Sequence, residues 1–225
     1  MFTLDQVVPW GRSFEEYRRM FVLRDAELRM SILGCADGPA GFNAEATRRG
    51  TRVISCDPLY RFTGTQIRER IAATRDQIVD QTRQNLAEFV WRDIQSVEEL
   101  ETVRMRAMDA FLEDFDQGLR DGRYVDAELP TLPFRDHSFE LAICSHFLFL
   151  YSDHLGAPFH RDAILELARV AREVRVFPLL ELGGQQSPYV VGIGDDLRRA
   201  GYHVSIEEVP YEFRRGANQM MRIRP

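Results

Sequence analysis

The turn Gly34-Cys35-Ala36-Asp37-Gly38-Pro39-Ala40-Gly41-Phe42 is the first place where residue types and spacing suggest chemistry. Small residues at 34, 36, 38, 40 and 41 let backbone approach a bulky ligand. The helix expected after them points free amides and a positive dipole end into the same space. Ala36-x-Gly38-x-x-Gly41 is a dinucleotide fingerprint with its first glycine replaced, so the turn alone leaves nicotinamide and other adenosyl cofactors open. Asp57 lies 19 residues after Gly38, just before Pro58. A carboxylate there accepts both hydroxyls of a ribose; its other reading is a solvated loop acid or helix cap. His146, in the run SHFLFL, carries an imidazole whose ordinary pKa of about 6.5 suits proton abstraction near neutrality; otherwise its ring lines a pocket. The loop YSDHLGAPFH gathers Tyr151, Asp153, His154 and His160, but its ligand-type residues are spaced poorly for a metal and no further ligand is evident, so no metal is expected.

These residues need a frame. Residues 13–21 (SFEEYRRMF) open with Ser-x-x-Glu, a capping box, and carry Phe14, Tyr17 and Phe21 at helical spacing, which predicts an N-terminal helix with its aromatics packed. RMSIL, the glycine turn, the helical NAEATRRG and RVISCD then read as strand, turn, helix and strand, the start of a parallel βαβ unit. Residues 60–122 turn polar and helical, with apolar positions including Ile67, Ile71, Ile78, Leu100, Met108, Phe111 and Phe115. They are too many for one crossover, so a crossover helix plus a helical insertion is expected, acting as a lid, a dimer contact or a solvated helix pair. Strand rhythm returns at RYVDA, ELAICSHFLFL and residues 173–182, with a helix near 161–171 and another near 188–200. The last two extended runs, HVSIEEVPYEF and QMMRI, are joined too closely to be parallel and predict a terminal antiparallel hairpin. The expectation is one α/β domain over 1–225, doubly wound around a mostly parallel seven-stranded sheet.

Asp126-Ala127-Glu128 followed by Leu132-Pro133-Phe134-Arg135-Asp136-His137-Ser138-Phe139-Glu140 resembles the DAE..LPF.D.SFD signature of class I S-adenosylmethionine-dependent methyltransferases. The resemblance runs from Ser31 to about Leu182. It implies S-adenosyl-L-methionine as cofactor. Gly34, Ala36, Asp37, Gly38 and Pro39 would then form its cradle, Asp57 and Pro58 the ribose end, Asp126 and Ala127 the adenine edge, and Ser145 and His146 the methionine side. That family's antiparallel seventh strand agrees with the predicted hairpin. The sequence departs from the family at Gly34, where an acid is usual, and at Ala36, where glycine is usual, which leaves Asp37 as a substitute carboxylate for the cofactor's amino group. The Asp-Ala to Leu-Pro-Phe spacing is stretched by about a residue, and the Lys-Pro-Gly-Gly lead-in is replaced by AREVRVFPLLELGG.

Composition trims the alternatives. All 29 Lys+Arg residues are arginine. A Schiff-base enzyme, a Walker phosphate loop, a lysine general base and the lysine-bearing tetrad of ribose methylating enzymes are therefore excluded. The net charge of −6 argues against a nucleic-acid backbone as main partner. No Asn-Pro-Pro-Tyr-like tetrapeptide follows the fourth strand, so a small-molecule acceptor is favoured by elimination, with His146 as the candidate base. Tyr189, Arg135, Trp10, Phe14 and Tyr17 are candidate covers for the pocket, with packing the expected role of Phe14 and Tyr17. Cys35, Cys56 and Cys144 lie in apolar runs without CxxC spacing and read as buried thiols; with an acidic, aromatic start (MFTLDQVVPWGRSFEEY) in place of a basic-apolar leader and no apolar run of membrane-spanning length, a cytoplasmic, non-membrane protein is expected. A homodimer through the insertion is a further expectation. The competing readings are a nicotinamide-dependent oxidoreductase, disfavoured by the hairpin and the missing Tyr-x-x-x-Lys pair, and a non-catalytic adenosyl-binding protein.

Overall fold

The computed structural model describes residues 8–225; the opening MFTLDQV segment, read above for export, lies outside them. Helix α1 (Phe14–Met20) begins where expected, with Ser13 and Glu16 capping each other's backbone amides. Strand β1 (Ser31–Cys35), helix α2 (Phe42–Arg48) and strand β2 (Arg52–Cys56) form the βαβ opening. Two long helices follow, α3 (Gly64–Gln84) and α4 (Val97–Arg120). Helix α4 packs against both α2 and α3 and leads into β3 (Tyr124–Val125), so α4 is the crossover and α3 the added layer. Gly118 inside α4 has a packing reason: a Cβ there would lie 2.3 Å from the Tyr124 ring. Strand β4 (Leu141–Ser145), helix α5 (Ala157–Val170), strand β5 (Val174–Phe177), helix α6 (Tyr189–Arg199), strand β6 (His203–Glu208) and strand β7 (Gln219–Arg224) complete the chain.

The sheet order is β3-β2-β1-β4-β5-β7-β6. Six strands run parallel, and β7 runs antiparallel between β5 and β6. The apolar runs of β1, β4 and β5 are covered on both faces, as the continuous hydrophobicity predicted. Strands are shorter than the sequence rhythm suggests. ELAICSHFLFL contributes only Leu141–Ser145, because His146 and Phe149 adopt left-handed backbone (φ 53° and 67°) that no strand accommodates.

Register sets the site. Cys35 pairs with both Cys56 and Cys144 across three neighbouring parallel strands. The residues just beyond these cysteines, Ala36-Asp37, Asp57 and Ser145-His146, therefore emerge at one edge of the sheet, where doubly wound folds hold ligands. The cysteines themselves are buried and unbridged. Among the described residues no helix is long and apolar enough to cross a membrane.

Candidate active site

A cavity of about 420 Å³ opens at this edge, within the range of small-molecule sites. Ala36, Asp37, Gly38 and Pro39 line it from the glycine turn, Asp57 and Pro58 from the end of β2, Ala127 beyond β3, and Ser145 and His146 from β4. Two residues expected at the cofactor stand elsewhere. Asp126 is outside the lining, half-exposed and paired with Arg61 at 3.3 Å, while Glu128 and Leu129 line the cavity beside Ala127. Gly34 is buried behind the turn.

The Gly34 position explains the altered turn. A Cβ on Gly34 would lie 2.0 Å from Oδ2 of Asp37, so the Asp37 carboxylate fills the space that a side chain at 34 would enter. Asp37 Oδ1 accepts from the Tyr17 hydroxyl at 2.8 Å and Oδ2 from the Ser55 hydroxyl at 2.6 Å. Burial, with the Asp57 charge adding, pushes the Asp37 pKa up to about 6 despite those two donors. Ala36 has φ 54°, left-handed backbone at the position where the family carries glycine. Because Asp37 is held on both oxygens, Gly34→Ala will destabilise the fold by about 1–3 kcal/mol through overcrowding. Thermal denaturation reads this, and a wild-type melting curve would mean that Asp37 swings aside freely.

Asp57 joins two elements. Its Oδ2 accepts from the Gly38 amide at 2.9 Å and its Oδ1 from the Leu59 amide at 2.8 Å, so it caps the turn after β2 and fixes the glycine turn together. Each oxygen keeps a lone pair for a ribose hydroxyl. Burial, then the charges of Asp126 and Glu128, raise its pKa to about 6 against the two amide donors. Gly38 has φ 51°, and a Cβ there would meet nothing nearer than Asp57 Oδ2 at 4.0 Å. An open turn beside a two-oxygen acceptor fits an adenosyl ligand.

Two polar pairs line the cavity: the Tyr17 hydroxyl donates to Asp37 at 2.8 Å, and Ser145 Oγ stands 2.8 Å from His146 Nδ1. His146 donates its backbone amide to the Phe177 carbonyl at 2.7 Å, and its ring packs edge-on against Phe177. Burial first, then the Arg12 and Arg104 charges, hold its pKa well below the ordinary value, so the imidazole is neutral.

Several functional side chains escaped the sequence reading. Tyr17 was expected to pack only, yet its hydroxyl reaches Asp37. Glu16 is more than a cap. It is buried, and Arg104 Nη1 donates to its Oε1 at 2.6 Å while the Tyr211 hydroxyl donates to the same oxygen at 2.9 Å. Burial opposes this ionisation, but Arg104 outweighs it and holds the Glu16 pKa at about 2. The signal for Arg104 was present: it stands on the Leu100, Met108, Phe111, Phe115 stripe of α4, a charge interrupting an apolar face. Trp10 lines the cavity, whereas Arg135 is exposed and outside it. His160, read as a loop residue, lies in α5 with no exposed surface; its Nε2 accepts from the Phe149 amide at 3.0 Å and Tyr189 packs on its ring. Among the described residues no cluster of three or more His, Cys, Asp or Glu could hold a metal.

The strand order with its reversed β7, and a cavity at the carboxyl ends of β1, β2 and β4, agree with the doubly wound seven-stranded sheet and terminal hairpin expected from the sequence. No family profile matches the chain. The chain belongs to the same family as the uncharacterized protein MJ0045 of Methanocaldococcus jannaschii, to which it is 33% identical over 222 residues, covering 98% of this chain and 97% of that one. Solved structures with similarity include magnesium protoporphyrin IX methyltransferase from Synechocystis PCC 6803 with bound SAM (11% identity, 92% of this chain and 74% of that one, TM-score 0.47). The PH0226 protein from Pyrococcus horikoshii OT3 is another (11% identity, 94% and 89%, TM-score 0.49). A third is a SAM dependent methyltransferase from Aquifex aeolicus (16% identity, 92% and 90%, TM-score 0.43).

Proposed function

We propose that the protein transfers a methyl group from S-adenosyl-L-methionine to a small-molecule acceptor. The observation that carries this reading is Asp57, a half-buried carboxylate laced to the Gly38 amide at 2.9 Å, so that the ribose acceptor and the glycine turn form one cradle. The bound sulfonium supplies an activated methyl carbon, which leaves the protein the tasks of alignment and water exclusion. Asp57 would hold the sugar, and Asp37, ionised above about pH 6, would meet the amino group of the methionine end. Pro39, Pro58 and Ala127 give apolar walls around the adenosine. Orientation of two bound reactants supplies roughly 7–11 kcal/mol of barrier lowering, enough to make positioning the main catalytic device.

His146 is placed to accept a proton where the acceptor must lose one. Its Nδ1 is engaged with Ser145, which leaves Nε2 for the substrate. Since its pKa is depressed, His146 stays deprotonated well into mildly acidic solution, and its titration will not limit the rate near neutrality. Once an acceptor is in hand, His146→Gln is expected to lower kcat about 10²–10⁴-fold for a protic acceptor, with KM for the cofactor nearly unchanged. An unaltered kcat would leave His146 as pocket lining.

Calorimetric titration with S-adenosylmethionine, S-adenosylhomocysteine and NAD tests the reading. Both sulfur compounds are expected to bind and NAD is not. Binding of NAD with neither sulfur compound would assign the cradle to a nicotinamide enzyme. Binding of the sulfur compounds without methyl transfer to any fraction of a bacterial metabolite extract would reduce the protein to an adenosyl binder. The expected cytoplasmic location and homodimer belong with this proposal.

A further inference from the structure

Two arginines line the same cavity and are not fully used by the protein. Arg104 is 1% exposed. Its Nη1 carries the bond to Glu16, yet its Nε and Nη2 are buried with no hydrogen-bond partner. Arg12 donates Nη1 to the Trp10 carbonyl at 2.8 Å, and its Nε is likewise buried without a partner. A buried guanidinium N–H left unsatisfied is costly, more so on a charged group. Three such N–H-bearing nitrogens from two residues along one cavity indicate that something else completes them.

The charge count points the same way. Glu16 neutralises one of the two cations. Arg214, a third arginine in the lining, is matched by Glu88 at 2.7 Å. Tyr211 and His146, which also stand close to the pair, are neutral: burial raises the Tyr211 pKa to about 12, and burial lowers that of His146. Burial, then the Arg104 charge, lowers the Arg12 pKa against smaller opposing contributions from Tyr211, Glu16 and Tyr17. Of the cavity's carboxylates, Asp37 is taken up by Tyr17 and Ser55 and Asp57 by the Gly38 and Leu59 amides, and among the described residues no carboxylate is bonded to Arg12. The surrounding wall is apolar, with Trp10, Leu100, Phe147, Leu150 and Phe213 among its lining residues.

We propose that Arg12 and Arg104 form a subsite for an anionic group, a carboxylate or phosphate, on a ligand whose body lies against this apolar wall. Arginine suits the task, because its planar fork receives an oxyanion through two parallel N–H bonds. Within the methyl-transfer reading on which the proposal rests, the subsite stands beside His146 and the Tyr211-Phe213 segment. An acidic acceptor with an aromatic or aliphatic body is the occupant expected, and the methionine carboxylate of the cofactor is the other source of the same chemistry.

The test uses the whole protein saturated with S-adenosylhomocysteine and probes of matched shape: benzoate, 4-phenylbutyrate and octanoate, each beside its amide, followed by ligand-observed NMR. At least one acid is expected to bind ten-fold or more tightly than its amide, and Arg12→Gln to erase that preference. Arg104→Met combined with Glu16→Leu removes the second cation without stranding its carboxylate and is expected to do the same. If Arg12→Gln instead weakens S-adenosylhomocysteine ten-fold while leaving 5′-methylthioadenosine, which lacks the amino acid, unaffected, the anion received is the cofactor's own. No acid preferred over its amide, together with unchanged S-adenosylhomocysteine affinity in both variants, overturns the subsite. Acid binding by a protein that takes up no adenosyl sulfur compound would overturn the methyl-transfer reading and leave the subsite standing.

Discussion

Glu16→Ala will lower the unfolding free energy by about 3–5 kcal/mol, the range for removing one partner of a buried ion pair. The loss exceeds that of a helix cap, about 1 kcal/mol, because three things go together. Arg104, 1% exposed, is left as a buried charge with all of its nitrogens unsatisfied. The Tyr211 hydroxyl loses its acceptor. The Ser13 amide, capped by Glu16 Oε2 at 2.9 Å, is freed. A protein of this size is expected to melt roughly 10 °C lower. Glu16→Ala combined with Arg104→Met will recover much of the loss, since no charge is then buried alone. A single variant that melts within a degree or two of wild type would show that water reaches Arg104 and the pair is not sealed.

The second large effect belongs to Asp57. Asp57→Asn will weaken S-adenosylhomocysteine by roughly 2–3 kcal/mol, about 30- to 150-fold, because a hydrogen bond to a charged acceptor is lost and one oxygen becomes a donor. The wild-type protein will show its own dependence on acid. Asp37 and Asp57 both have pKa values raised from 3.8 to about 6, mainly by burial. For each, the folded state favours the protonated form, so its contribution to stability is present below about pH 4 and is lost as pH rises through 6. The ribose needs the ionised form. Acidification from pH 7 to 5 will therefore weaken cofactor binding by up to about ten-fold per unit below pH 6 for each of the two carboxylates, while these two groups stabilise the free protein over the same window. Glu16, held at about 2, acts in the opposite sense only below about pH 4.5. Calorimetry across pH reads the first effect, and Asp57→Asn should flatten its slope by one proton. A pH-independent affinity between 5 and 7 in the wild type would remove Asp57 from the ribose.

Much of the frame was legible in the sequence because it rests on local signals. The capping box at Ser13 and Glu16, the glycine turn, the apolar runs and the close-set terminal strands each report on neighbours within a few residues, and each has its element in the fold. The cavity floor was legible at Asp37, Gly38, Asp57, Ser145 and His146 for the same reason, since each closes or follows a strand. What stayed hidden depends on distance along the chain. Tyr17 reads as one more apolar position on a helix until Asp37, twenty residues on, is brought to its hydroxyl. Arg104 looks like a blemish on an apolar stripe until Glu16 is folded beneath it. The sequence offers Asp37 as a substitute for the acid missing at Gly34, but the space the two share, 2.0 Å between a Gly34 Cβ and the Asp37 oxygen, is visible only in the fold. Asp126 lies outside the cavity lining because β3 is only two residues long, so the direction of the side chains beyond it is set by the loop and by Arg61.

The bond from Tyr211 to Glu16 spans 195 positions. It ties α1 to the segment between β6 and β7, so one wall of the chamber closes only when parts of the chain far apart in sequence have met. A ligand that occupies the cavity therefore stabilises the assembled fold and not its separate segments.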